Sequence, residues 1–349
     1  MTASVKEAPS MREVHYAGAG GPDVIELRDV PVPEPGEHQV RVRVAASALN
    51  RADLLQRQGH YPAPAGWPAD VPGLEFSGVV DVTGPEVTRW QPGDRVMGLV
   101  GGGAQAELVL THEAELLPVP DSMDLVDAAA VPEAFLTAFD ALRIRARLQA
   151  GERLLIHAVG SGVGTAAVQL AKLAGATVVG TSRTPEKLKR ASQLGLDLGV
   201  NTAERPFRDA MREPVDVVLD VLGGPALADN LAVLAPRGRL ILVGFLQGSE
   251  ADVSLEPVLR KRLEVIGTVM RTRSHAERAE LVRSFADAVL PALWDGRLAP
   301  VVDSRFPMED VAAAHARMAS NAGFGKVLVT IDGQADSGLR SSSNLKRPL

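Results

Sequence analysis

Leu154-Leu155-Ile156-His157-Ala158-Val159 is an apolar strand pattern that runs straight into Gly160-Ser161-Gly162-Val163-Gly164-Thr165 and then into the helical stretch Ala166 to Leu173. Gly160 and Gly162 allow a sharp turn with no Cβ between the backbone and a ligand, and Gly164 lets the helix lie close on the strand. Ser161 and Val163 complete a helix start whose unpaired amides and partial positive charge suit the diphosphate of a dinucleotide. A tight turn without a ligand is the plainer reading of the same residues. The surrounding pattern favours the ligand. Apolar runs at Arg153 to Ala158, Thr177 to Gly180, Asp197 to Asn201, Val215 to Val221, Arg239 to Val243 and Leu263 to Thr268 alternate with helix-length segments. Strands spaced in this way make βαβ units, so the middle of the chain is expected to be an α/β, doubly wound parallel sheet.

The flanks read differently. From Met11 to about Ala129 the chain is β-rich: Val40-Arg41-Val42-Arg43-Val44 alternates with period two, and turns are marked at Gly20-Gly21-Pro22, Pro33-Glu34-Pro35-Gly36 and Gln91-Pro92-Gly93-Asp94. After Arg271 come a long amphipathic helix to about Trp294, a strand Val301 to Phe306, a helix from near Met308 and a strand Lys326 to Ile331. These pieces are too few for a further domain and are expected to pack back on the first half. The organisation is then 11–129 and 271–332 as one discontinuous domain and 130–270 as the other, with Met1–Ser10 and Gln334–Leu349 as flexible termini. A length of 349 residues suits two domains and a cleft between them.

Composition narrows the function. Cysteine is absent, which removes disulfides, thiolate zinc sites and cysteine nucleophiles together. A net charge of −6 with scattered Lys and Arg argues against a nucleic-acid partner. No stretch reaches the roughly 18 apolar residues of a membrane span, and Met1–Ser10 lacks the apolar core of a signal peptide, so a cytoplasmic protein is expected.

The strand after the glycines ends at Thr181-Ser182-Arg183, where an NAD site would place an acid on the ribose hydroxyls. Ser182, Arg183 and Lys187 stand there instead and would bond and neutralise a 2′-phosphate, which points to NADPH; ordinary solvated charges at a helix start are the alternative. His157 and Asp220 end neighbouring strands, where a hydrogen-bonded structural role is the expectation. A hydrolase built from Ser161, His157 and Asp220 is disfavoured because the serine is not in a G-x-S-x-G elbow.

Several segments, in order, make the chain similar to a known family: Ala45-Ala46-Ser47-Ala48-Leu49-Asn50-Arg51-Ala52-Asp53-Leu54, Gln56-Arg57-Gln58-Gly59-His60-Tyr61, Gly73-Leu74-Glu75, Pro92-Gly93-Asp94-Arg95-Val96, Pro132-Glu133-Ala134-Phe135-Leu136-Thr137-Ala138-Phe139 and the glycine loop. From Met11 to about Ile331 it resembles the zinc-independent quinone oxidoreductases of the medium-chain dehydrogenase/reductase superfamily, with the tumour-suppressor-inducible branch nearest. The resemblance implies a Rossmann dinucleotide-binding domain, a GroES-like β-barrel catalytic domain formed from both ends of the chain, and a site in the cleft between them.

It also implies roles. Asn50 and Thr137 are expected near the nicotinamide ribose and carboxamide, and Gly244-Phe245-Leu246 at the nicotinamide end. Thr137 read alone is a helix hydroxyl bonded to its own backbone, and Phe245 read alone is core. Tyr61, in a proline-rich loop, is expected to orient the cofactor or give a proton to the reduced oxygen, with plain surface exposure as the alternative. Asn201 is expected on the adenine side, next to Thr202, which replaces a tyrosine of several relatives and weakens the NADPH reading. Lys326 resembles the family's closing segment, which reaches the cofactor; read alone it is a solvated lysine. Arg271 and Arg273 either line the acceptor pocket or face solvent. Zinc-dependent relatives carry ligands where this chain has Asn50 and Leu74, with Glu133 near the third position, so no metal is expected. The expected activity is NADPH-dependent reduction of quinones by hydride transfer, in a homodimer joined through the strand Leu263 to Thr268. An enal or enone reductase, and a dinucleotide-binding sensor with little turnover, are the competing readings.

Overall fold

The computed structural model describes residues 9–331; the segments expected to be flexible, Gln334–Leu349 and Met1–Ser10 except its last two residues, lie outside the described residues. A hairpin of β1 (Ser10–Tyr16) and β2 (Ile25–Pro31) opens the chain, followed by β3 (Gln39–Ala48), α1 (Arg51–Arg57), β4 (Glu75–Thr83), β5 (Arg95–Leu99), β6 (Leu108–His112) and β7 (Leu116–Pro118). The alternation in β3 sets its faces. Val40, Val42 and Val44 are buried, while Arg41 and Arg43 point outward and share Asp81 on β4, at 2.8 and 2.9 Å. β3 is also where the sheet branches: Gln39–Arg43 pairs with β6 and Ala46–Ala48 with a strand from the far end of the chain.

Two short helices, α2 (Leu125–Ala128) and α3 (Pro132–Phe139), lead into β8 (Arg153–Ile156), α4 (Gly162–Leu173), β9 (Thr177–Ser182), α5 (Pro185–Ser192), β10 (Leu198–Asn201), α6 (Phe207–Ala210), β11 (Val215–Asp220), α7 (Leu227–Val233), β12 (Leu234–Leu242), α8 (Glu256–Lys261) and β13 (Glu264–Gly267). The six strands are all parallel, in the order β10-β9-β8-β11-β12-β13. That is the doubly wound order, with its switch point between β8 and β11. Leu154, Leu155 and Ile156 of β8 are all buried, because helices cover both faces.

The chain ends with α9 (His275–Trp294), β14 (Val302–Pro307), α10 (Val311–Ala319) and β15 (Lys326–Thr330). Ser274 and Glu277 form a capping box at the start of α9. Its inner face shares a core with α3, α4 and β8, and Phe285 meets Phe139 edge-on at 5.6 Å, so α9 lies along the seam. β14 and β15 join the N-terminal sheet, whose order is β14-β15-β3-β4-β5-β7 with β6 on β3. The described architecture is α/β: a GroES-like sheet made from both ends of the chain around a doubly wound sheet. Several strands are shorter than the sequence suggests, and in two of them a defined stop ends the strand. β8 stops at Ile156 because Ala158 turns the chain with φ 49°, and β11 stops at Asp220, whose carboxylate binds the amides of Leu222 and Gly223.

Candidate active site

The loop after β8 is built for close approach. A Cβ on Gly164 would lie 2.7 Å from the carbonyl oxygens of Ala158 and Val159, so only glycine lets α4 start so near the strand. Around Gly160 the nearest atoms belong to Lys187 and Phe324, at 2.9 and 3.1 Å from such a Cβ, and around Gly162 to Lys326, at 2.5 Å. The left-handed residue of the turn is Ala158, not a glycine, so the glycines serve proximity rather than backbone freedom. Ser161 caps α4, its Oγ accepting from the Gly164 amide at 3.0 Å. The amides of Gly162 and Val163, in the first turn, have no intrahelical acceptor.

Next to this loop lies the edge at the end of β9. Ser182 pairs in register with Asn201 on β10, and its Oγ accepts from the Thr184 amide at 3.1 Å. Asn201 is engaged locally, with Nδ2 donating to Glu204 at 2.6 Å and Oδ1 accepting from Ala203 N. Arg183 is exposed. Lys187 Nζ donates to the carbonyl of Asn321, and burial holds its ammonium below the usual lysine range. Phe324 packs under the Arg190 guanidinium at 4.2 Å, and Ser161 bridges to Gly325. The segment Asn321–Lys326 thus forms one wall of the loop.

The floor comes from the other sheet. Lys326, 4% exposed, places Nζ at 2.9 Å from Leu49 O, 2.6 Å from Asn50 Oδ1 and 2.6 Å from Glu75 Oε1. Asn50 Nδ2 donates to Glu75 Oε1 at 2.9 Å, and Glu75 Oε2 accepts from the Glu133 amide at 2.7 Å. Asp53 closes a capping box on α1, accepting from Asn50 N at 2.7 Å and Gly73 N at 3.1 Å, and burial pushes its carboxyl up to about 6.

Above the floor, α3 presents Glu133 and Thr137, four residues apart and so on one face. Ala134 between them approaches Gly162. Thr137 Oγ1 is buried with no partner among the described residues. Burial, reinforced by Glu75, pushes the Glu133 carboxyl up to about 7. Tyr61 stands across from it, its ring beneath the Arg271 guanidinium at 4.8 Å, its phenol raised above the usual range by burial and by Glu133. Arg271 is buried and donates to Tyr61 O at 3.0 Å, Gln56 Oε1 at 2.8 Å and Gly101 O at 3.2 Å. It follows directly on β13 of the parallel sheet, yet its three acceptors lie on α1 and on two loops of the N-terminal part of the chain.

The chain is similar to known proteins over most of its length. Residues 162–287 match the zinc-binding dehydrogenase family and residues 36–121 the alcohol dehydrogenase GroES-like domain. A quinone oxidoreductase of Pseudomonas aeruginosa is 36% identical over 88% of this chain and 96% of its own. The chain belongs to the quinone oxidoreductases of the medium-chain dehydrogenase/reductase superfamily. Among solved structures, an NAD-dependent alcohol dehydrogenase superposes with TM-score 0.83 at 33% identity, over 92% of this chain and 100% of that one. A mycobacterial protein complexed with NADPH superposes with TM-score 0.83 at 27% identity, over 92% and 100%. The CurK enoyl reductase follows at TM-score 0.80 and 28% identity, over 92% and 99%.

In this member of the superfamily, Asn50, Tyr61, Thr137, Lys326 and the glycine loop converge on the cleft, and Ser182, Arg183, Lys187 and Asn201 gather at the neighbouring edge. Gly244-Phe245-Leu246 follows β12, tied by Leu246 N to Val221 O at 2.9 Å. Several plain readings of the sequence are corrected. Phe245 is 55% exposed and is not core, Lys326 is not solvated, and the Thr137 hydroxyl is not bonded to its own helix. Arg271 and Arg273 are not solvated either; Arg273 pairs with buried Asp140 at 2.7 Å. His157 and Asp220 do have structural roles: His157 bonds Thr181 and Asn230, and Asp220 bonds Asn230 at 3.1 Å, while the Ser161 hydroxyl is engaged by the Gly164 amide. Sequence reasoning missed Phe324, Arg190 and Asn321 as a wall of the loop and Glu133 as an unpaired acid. Glu133 lay within a quoted segment, whereas Phe324 and Asn321 shortly before Lys326 and Arg190 three residues after Lys187 carried no motif of their own.

The donor set does not fit zinc. Asn50 has both amide atoms committed, Leu74 is aliphatic and buried, and both oxygens of Glu75 already accept. The cradle does fit a dinucleotide, with two unpaired helix amides, glycines where a Cβ would collide and an orphaned hydroxyl on the facing helix.

Proposed function

We propose that this oxidoreductase transfers hydride from NADPH to quinones without zinc, in the cleft between residues 130–270 and the domain formed by 11–129 and 271–332. The observation that carries the reading is helix α3, which meets Gly162 of the glycine loop through Ala134 at the switch point of the sheet and carries the unpartnered Thr137 hydroxyl three residues on. Bound there, the nicotinamide supplies two electrons and a proton nucleus as hydride; an electrophilic quinone accepts them with no Lewis acid. The chain's own work is positioning and exclusion of water. Amides of Gly162 and Val163 hold the diphosphate, and Ser161 fixes the helix start that presents them. Gly160 and Gly164 keep the approach open. Thr137 would bind the nicotinamide carboxamide, Gly244, Phe245 and Leu246 would hold the nicotinamide end, and Asn201 would lie on the adenine side. Asn50 and Lys326 form the polar floor, and Tyr61 faces the acceptor.

Ser182, Arg183 and Lys187 support NADPH over NADH, since no acid stands at the end of β9 to repel a 2′-phosphate. The test is anaerobic oxidation of NADPH and NADH by an ortho-quinone in the presence of a chelator. We expect chelator-insensitive turnover that prefers NADPH, and an Arg183→Ala/Lys187→Ala variant whose KM for NADPH rises about 10-fold or more while that for NADH is unchanged. Equal use of both cofactors by the parent protein overturns the 2′-phosphate site. A second reading, reduction of enones in the same cleft, is favoured by the likeness to an enoyl reductase and predicts faster NADPH oxidation with enones than with quinones.

A further inference from the structure

We propose that Glu133 is the acid that protonates the acceptor's oxygen as hydride reaches the substrate. The step rests on the hydride-transfer reading above and adds to it the source of the proton. Glu133 is the second residue of α3, and its backbone amide is pinned at 2.7 Å to Glu75, a carboxylate itself held by Lys326 at 2.6 Å and Asn50 at 2.9 Å. Its place is therefore set by a rigid buried network. Among the described residues its own carboxyl makes no hydrogen bond and no ion pair, in contrast to Glu75 and Asp53, whose oxygens are all engaged. It shares a helix face with the orphaned Thr137 hydroxyl, and Ala134, next to it in the chain, meets Gly162. The residue also keeps part of its surface open, which lets solvent return the proton.

The charged surroundings favour the neutral acid. Glu75 from β4 and Asp53 from α1 oppose ionisation, Lys326 from β15 and Arg271 beyond β13 favour it, and Tyr61 is the remaining titratable neighbour. Burial and the two carboxylates prevail, so Glu133 ionises at about 7. Efficient general acids have a pKa near the working pH, which fits this carboxyl better than the Tyr61 phenol, already pushed above its ordinary range.

The step balances. Hydride adds to the quinone and reduces it by two electrons; the O–H bond of the Glu133 carboxyl breaks as an O–H bond forms on the substrate oxygen. Hydroquinone leaves, and the Glu133 carboxylate takes a proton from water. The group must be protonated to act, so activity is full below about pH 7 and falls as the pH rises through it.

The experiment measures kcat and KM for an ortho-quinone from pH 5.5 to 9 for the parent protein, Glu133→Gln and Tyr61→Phe, together with an infrared titration of the cofactor-free protein. We expect the parent kcat to lose its alkaline limb in Glu133→Gln and to fall about 100-fold there, with acceptor KM little changed, while Tyr61→Phe keeps the limb. In the infrared, a protonated carboxyl band should vanish around neutral pH in the parent and be missing from Glu133→Gln. A parent profile with no alkaline limb overturns the proposal even if the variant fails to fold, as does a variant with normal kcat, or an infrared band unaltered by the substitution. Absence of acceptor reduction at every pH overturns the hydride-transfer reading and this step with it; reduction without the limb overturns this step alone.

Discussion

Lys326 shows how much one side chain decides here. Its ammonium is the counter-charge of a carboxylate with no exposure to water, and it satisfies Leu49 and Asn50 in the same contact. Removing one partner of such a pair is far worse than removing both, because the survivor keeps its desolvation penalty. Lys326→Met is expected to destabilise the protein by about 3–5 kcal/mol, and Lys326→Met/Glu75→Gln to recover a good part of that loss. Urea unfolding of both variants at one pH measures the difference. Nothing in the sequence around Lys326 announces this role: a lysine between a glycine and an apolar run is an ordinary strand start until the chain brings Leu49 beside it. The same holds for Arg271, whose three acceptors lie 170 to 215 residues earlier in the chain.

Among the elements, the β8–α4 junction is the one that local sequence specifies best. Gly164 sits where any Cβ meets two backbone carbonyl oxygens at 2.7 Å, and backbone cannot swing aside as a side-chain tip does. Gly164→Ala is therefore expected to lower stability by about 1–3 kcal/mol and to weaken dinucleotide binding, read by thermal melting with and without NADPH. The positions and types of the six parallel strands were legible because a doubly wound sheet writes itself as buried runs separated by helices. The ends of those strands were not: Ala158 and Asp220 stop them through a left-handed turn and a side-chain cap that periodicity does not reveal. At the site, the glycines and Asn50 stood out from their motifs. Glu133 did not, since its character comes from Glu75, Asp53 and Lys326, none of them close to it in sequence.

At the scale of the whole molecule, β13 is one of the two edges of the parallel sheet, opposite β10, and Val265 on it is 45% exposed. Leu255 and Leu259 nearby are 71% and 79% exposed. An open edge flanked by apolar side chains suits pairing with a second copy across a two-fold axis. We propose this homodimer, and expect sedimentation at micromolar concentration to give the dimer mass. Leu259→Lys/Val265→Lys, which sets like charges against each other, is expected to give a monomer with an unaltered circular dichroism spectrum. A monomeric parent protein contradicts the arrangement. Among the described residues no helix is long and apolar enough to cross a membrane.

The N-terminal sheet is also divided in time. Lys326 lies 277 residues after Leu49, so at about 5–20 residues per second the ribosome needs roughly 15 to 55 s to supply it. During that interval β3 is made, but β15, which lies between it and β14, is not, and β14 itself emerges only shortly before β15. The parallel sheet, encoded without interruption from Arg153 to Gly267, can close first. The nascent barrel must meanwhile hold an acidic floor with no cation in it, and only when β15 slides into place does the cleft acquire both its shape and its charge balance.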